Sequence, residues 1–239
     1  MNKIIISLLL LLMTASSHAC VEDWLQQQQF FVEGVASDPE GNTLYVERLK
    51  HVPNSTGGML TVAYTDPGGA PLANKQVDYN CRTTAPSFTL IDQVSGVKEG
   101  VNWTQDLLES YQDDEVTKLE VPNGPTIIDA GFDNAIKSSW DTLMKGDKVA
   151  YHYLFARDNK FLKLRFLKSD PPETLENEIS SDVVFFRIAA NNLIFRMLSS
   201  PIYVGYDRNT QDLKYYFGPS NLPAMKDQKN VLIRYNTIS

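Results

Sequence analysis

The chain reads as a mainly β protein of the α+β class, a large curved antiparallel sheet or half-barrel of about ten strands packed on one central amphipathic helix. Three observations lead there. Short runs rich in Val, Tyr, Leu and Phe recur along most of its length. Clusters of Gly, Pro, Asn and Asp separate those runs and supply the preset or positive φ that tight reversals need. One long segment, residues 126–146, repeats its apolar residues at helical spacing. A sheet of that size curls, and its hollow side must be filled.

Residues 1–19 have the layout of a secretory leader. Lys3 precedes an apolar stretch over 4–13, broken by Ser7, and Ser17-His18-Ala19 follows. That stretch is shorter than the about 20 residues that span a bilayer, so cleavage after Ala19 is expected. Residues 20–239 are then expected to form a single β-rich domain outside the cytoplasm. Cys20 becomes the first mature residue, and the chain has one other cysteine, Cys81. Two cysteines in an exported chain most simply form one disulfide, here Cys20–Cys81. It would close a loop of about 60 residues and contribute roughly 3–4 kcal/mol. Two alternatives stand beside it: acylation of Cys20, although Ser17 occupies the place where lipoprotein signals carry a branched apolar residue, and two buried thiols.

Strands are expected at 30–37, 43–52, 59–65, 74–80 and 87–94, punctuated by DPEGN, PNSTGG and DPGGAP. Trp103, Leu107, Leu108 and Tyr111 suggest a short helix after Thr104. A brief strand at 118–121 runs into the breaker PNGP. Over 126–146, Ile128, Phe132, Ala135, Ile136, Trp140, Leu143 and Met144 fall on one side of a helical wheel. Asn134, Lys137, Ser138, Asp141 and Lys145 fall opposite. Thr126 or Asp129 can cap the start of this helix, and Gly146 suits the left-handed turn at its end. Further strands are expected at 148–156, 161–168 and 183–189. Residues 191–199 fit helix and strand about equally. A hairpin over 201–217, turning at DRNTQD, and a strand at 231–237 complete the chain.

The chemistry is sparse. With 22 basic and 29 acidic residues the net charge is −7, which disfavours nucleic acid. No basic block in the sequence suggests an anionic membrane surface. After the leader two histidines remain, His51 and His152, with no HExxH or CxxC spacing, so no metal or cofactor is expected. No GxSxG or phosphate-binding glycine loop occurs, and no catalytic residue is assigned. A hydrolase built on His152 ranks behind the binding readings. Asp129 and Asp133 stand four apart, but in a helix's first turn the macrodipole accounts for them. Asp113, Asp114 and Glu115 lack the alternating oxygens of a calcium loop and read as a turn.

The aromatics remain: 11 Tyr, 11 Phe and 3 Trp. A curved sheet closed by one helix often leaves a pocket, and Phe132, Ile136 and Trp140 are the residues expected to line it.

Two stretches, IIDAGFDNAIKSSWDTLMKG and PIYVGYDRNTQDLKYYFGPSNL, resemble uncharacterised exported proteins of Gram-negative bacteria. The strand-rich layout with a packed helix is similar to periplasmic half-barrels that carry lipoproteins or lipids. The resemblance implies a periplasmic, non-enzymatic binding or carrier protein, with an apolar, lipid-like ligand between sheet and helix. The alternative is an envelope interaction protein with a fully packed core and an envelope protein as partner. Outer-membrane attachment through Cys20 is a variant of either. A monomer with no membrane span after leader removal is expected. A transmembrane β-barrel ranks last, because most strands fall short of the about 9–11 residues it needs.

Overall fold

The computed structural model describes residues 29–175, 179–190, 201–220, 222–225 and 230–238. The leader, Cys20 and the stretch 191–199 lie outside these residues, so the expected disulfide and the ambiguous segment are not described.

The first half of the chain contributes β1 (Phe30–Ser37), β2 (Thr43–Val52), β3 (Met59–Thr65), β4 (Pro71–Asp78), β5 (Ser87–Asp92), β6 (Lys98–Thr104), β7 (Leu107–Gln112) and β8 (Glu115–Leu119). The second half begins with β9 (Thr126–Ile128), α1 (Gly131–Ser138) and α2 (Trp140–Met144). It continues through β10 (Val149–Phe155), β11 (Lys160–Ser169), β12 (Val183–Ala190), β13 (Ile202–Asp207), β14 (Leu213–Gly218) and β15 (Val231–Thr237). All fifteen strands lie in one sheet, in the order β8-β7-β6-β5-β4-β3-β2-β1-β15-β14-β13-β12-β11-β10-β9. Each neighbouring pair is consecutive in the chain except β1–β15, which joins the two halves. Every pairing is antiparallel except β9 with β10.

The sheet curves without closing, and its edges, β8 and β9, are successive in sequence. Contacts across the seam tie the edge regions together. The Ile128 N–H donates to Thr84 O at 3.0 Å. Arg157, beyond β10, grips Glu99 of β6 at 2.9 Å. The Ser110 hydroxyl of β7 donates to Asn159 Oδ1. Two apolar clusters fill the concave side. Tyr45, Val62, Tyr64, Val77, Leu90 and Ile233 belong to the first. Ile136, Trp140, Leu143, Phe166, Phe186 and Val204 belong to the second. Ile128 joins the first cluster and Ile127 the second, so β9 lies between them.

The fold class matches the expectation, and its components are corrected in three places. There are fifteen strands rather than about ten. Residues 104–112 form a hairpin, not a helix: Gln105 takes φ 57° at a two-residue turn. Trp103 then faces Leu108 across the β6–β7 ladder, and this pairing produces the spacing that imitates a helix. The segment 126–146 is a strand and two short helices. Thr126–Ile128 pairs with His152–Leu154, and Asp129, at φ 45°, ends the strand. At Ser139 the helix breaks; the Ser139 hydroxyl meets Tyr151 Oη at 2.9 Å. No side chain caps α1, because Asp129 Oδ1 instead accepts the N–H of Ala130 at 2.7 Å. Gly146 ends the segment at φ 89°, as its position suggested.

Two glycines are required for room. A Cβ on Gly131 would lie 2.0 Å from Thr84 O, so α1 starts where only glycine can approach that loop. Gly34 of β1 pairs with Glu47 on one side and Tyr235 on the other. A Cβ there would lie 2.7 Å from Tyr235 Cε1 and 2.9 Å from Glu47 Cγ. The missing side chain lets the Tyr235 ring lean across β1 to Glu47. Gly34→Ala is therefore expected to destabilise the protein by about 1–3 kcal/mol in chemical denaturation. An unchanged midpoint would show that Tyr235 does not depend on that gap.

Candidate functional site

Two places carry site chemistry: the helix pair chosen from the sequence, and a buried polar cluster that the sequence did not single out. On the helix pair, Ile136 is fully buried and Trp140 nearly so. The Trp140 indole stands edge-on to Phe186 at 5.3 Å and to Tyr206 at 5.9 Å between ring centroids. Phe132 is half-buried against the same cluster. The three residues therefore share one apolar face, and that face packs on β12 and β13. Asn134, expected on the polar side, is buried because its Nδ2 donates to Thr83 O at 2.7 Å. Asp133 accepts from the Tyr206 hydroxyl at 2.9 Å and pairs with Lys137 at 2.9 Å.

The second place lies inside the curve. On β4, Ala73, Lys75 and Val77 point to the concave face, and Lys75 Nζ meets Asp129 Oδ1 at 2.9 Å. Both side chains are largely withdrawn from water, at 6% and 14% exposure. On β2, Tyr45, Glu47 and His51 point the same way, and the Tyr235 hydroxyl donates to Glu47 Oε1 at 2.6 Å. The sequence carried one usable signal for this cluster, a charge occupying the apolar phase of an alternating strand, once in LANKQV and once in TLYVERL.

Burial governs the protonation states here. It pushes the Glu47 carboxyl above its ordinary range; the Tyr235 hydrogen bond and Lys75 oppose the shift, and Asp129 adds to it. Burial pulls Lys75 down, but Asp129, Tyr64 and Glu47 together outweigh it and hold the amine well above its ordinary value. Burial also raises Tyr45, Tyr79 and Tyr235 above the usual phenol range, Tyr235 with help from Glu47. Lys75 is thus a fixed cation with no lone pair to attack a substrate, and the phenols stay protonated donors. This chemistry suits an anchor: the cluster fastens the corner between β9 and α1 to the first half of the sheet.

The histidines serve other ends. His51 is buried, its Nε2 2.9 Å from Gly57 O, and it stacks on Phe30 at 5.2 Å. It holds the turn after β2. His152 lies on β10, which does not neighbour β2 in the sheet. Its Nδ1 is buried with no hydrogen-bond partner among the described residues, so no acid orients it as a general base. Cys81 takes φ 66° in the turn after β4, and its N–H donates to Thr56 O at 2.7 Å.

No protein-family model matches the chain, and no curated protein matches it in sequence. Among solved structures it is similar to a beta-barrel-like protein of domain of unknown function DUF1849 from Brucella abortus. The identity is 9%, the TM-score 0.50, and the match covers 89% of this chain and 100% of that one. The fold is barrel-like. At that identity the likeness shows the fold alone. No helix among the described residues is long and apolar enough to cross a membrane.

The Glu47 shift has a pH signature. Its folded pKa lies above the unfolded one, so its contribution to stability is complete below the ordinary glutamate range and is lost as pH rises through the raised value. Glu47→Gln removes that titration and keeps an acceptor for Tyr235. Between about pH 4 and neutrality the natural protein is expected to lose stability relative to Glu47→Gln. Parallel denaturation midpoints across that window would contradict this.

Proposed function

We propose that this chain is a non-enzymatic binding protein of the bacterial envelope, one that meets its partner on the outside of a filled, barrel-like sheet. The observation that carries the reading is the occupied helix face, with Trp140 wedged against Phe186 and Tyr206. The two best-formed clefts among the described residues measure about 60 and 80 Å³. Ligand pockets run from about 300 Å³ upward, so neither accepts an acyl chain. The leader-like residues 1–19 support export, and a Cys20–Cys81 disulfide in an oxidising periplasm belongs to the same reading. Attachment to the outer membrane through an acylated Cys20 is its variant.

A second reading has a specific observation behind it. The helix break at Ser139 provides a hinge at which α2 could swing from the sheet, opening the face of Phe132, Ile136 and Trp140 to an apolar or lipid-like ligand. That protein would be a carrier. Native mass spectrometry of protein recovered from a bacterial periplasm separates the two. The expected result is an unliganded mass for a chain beginning at Cys20, with an envelope protein captured by crosslinking in intact cells. A co-purifying mass of lipid size would overturn the filled-sheet reading in favour of the carrier.

A further inference from the structure

The outer face of β10–β12 carries a feature that neither the helix face nor the buried cluster explains. Strand alternation turns Phe166, Phe186 and Ile188 into the second apolar cluster, which leaves Arg165, Leu167, Arg187 and Ala189 pointing the other way. In the antiparallel register Leu167 sits opposite Arg187, and Arg165 sits opposite Ala150 on one side and Ala189 on the other. The small alanines leave a depression between the long side chains. A cleft of about 80 Å³ opens there, lined by Lys148, Arg165, Leu167, Arg187, Ala189 and Ala190.

Three of those six residues are cations and none is an acid, in a chain whose net charge is −7. The Nε of Arg187 is buried and has no hydrogen-bond partner among the described residues. A buried donor left unpaired is costly, and gathering like charges adds to the cost. An anion in the cleft would relieve both. Guanidinium groups present rigid forks of N–H donors that match oxyanions, while an ammonium contributes a point charge. The volume suits a group of a few heavy atoms.

We infer that this cleft binds a phosphate group, with Arg187 supplying the buried donor and Lys148 the charge at the rim. The inference is independent of whether the helix face ever opens. The phosphate could arrive free or on a lipid headgroup, and the two sources separate experimentally.

The test uses the whole exported protein. Inorganic phosphate is titrated calorimetrically, and cosedimentation is measured with vesicles of phosphatidylcholine with and without phosphatidylglycerol. The variants are Arg187→Gln, Lys148→Gln and, as a control, Lys118→Gln on the distant edge strand β8. Lys148 is exposed, so its variant reads the cleft even if Arg187→Gln disturbs the sheet. Saturable binding that weakens about tenfold in Lys148→Gln and in any folded Arg187→Gln, and is unchanged in Lys118→Gln, is expected. If it appears with inorganic phosphate the ligand is a soluble phosphate; if it appears only with phosphatidylglycerol vesicles it is a headgroup. Binding that falls equally in all three variants would reflect net charge alone and overturn the site. So would the absence of saturable binding in both arms.

Discussion

Lys75 reaches from β4 into the hollow of the sheet and meets Asp129 at 2.9 Å, joining residues 54 apart in the chain. The rest of the architecture depends on this contact, because Asp129 is the corner at which the edge strand β9 becomes the helix pair. The same carboxylate accepts the N–H of Ala130, so one side chain both turns the chain and fastens it. Taking two charges out of water offsets much of their attraction, and a buried pair adds little to net stability. Its contribution here is specificity. An unpaired Lys75 inside an apolar curve would be prohibitive, so the chain has one low-cost place to put Asp129.

From that anchor the filled interior follows. With β9 fixed between the two apolar clusters, α1 and α2 lie along β11–β13, and Trp140 closes against Phe186 and Tyr206. Gly34 leaves room for Tyr235 to reach Glu47, which satisfies the second buried charge of the cluster. The concave side is then occupied by tyrosines, aliphatics and an internally balanced set of charges. What remains for recognition is the outside of the sheet, where alternation exposes a different set of residues.

The parts legible in the sequence were those specified locally. β1, β2, β3 and β15 have the bounds their alternation suggested, because turn residues bracket each one. The β6–β7 hairpin was hidden because Gln105-Asp106 lacks the glycine or asparagine that usually marks such a turn, and the Leu107-Leu108 doublet imitates a helical face. β9 is three residues long and exists through its pairing with β10, which no local pattern reveals. The face of Phe132, Ile136 and Trp140 was legible as one apolar surface, but what fills the space opposite was not, since Phe186 and Tyr206 come from distant strands. The cationic cleft escaped a search for basic blocks because its charges come one at a time from Lys148, Arg165 and Arg187, on or beside three strands, and converge only in register.

The central claim, that a buried charge pair seats the helix corner in the sheet, is tested most directly by a double-mutant cycle on Lys75→Met and Asp129→Asn in chemical denaturation. Asparagine tolerates the positive φ at position 129 and retains an acceptor for Ala130, so the cycle isolates the charge. The expected result is a loss of about 3–5 kcal/mol for Lys75→Met and a double variant less destabilised than the sum of the singles by more than about 1 kcal/mol. Additive losses, or a Lys75→Met protein as stable as the natural one, would contradict the account.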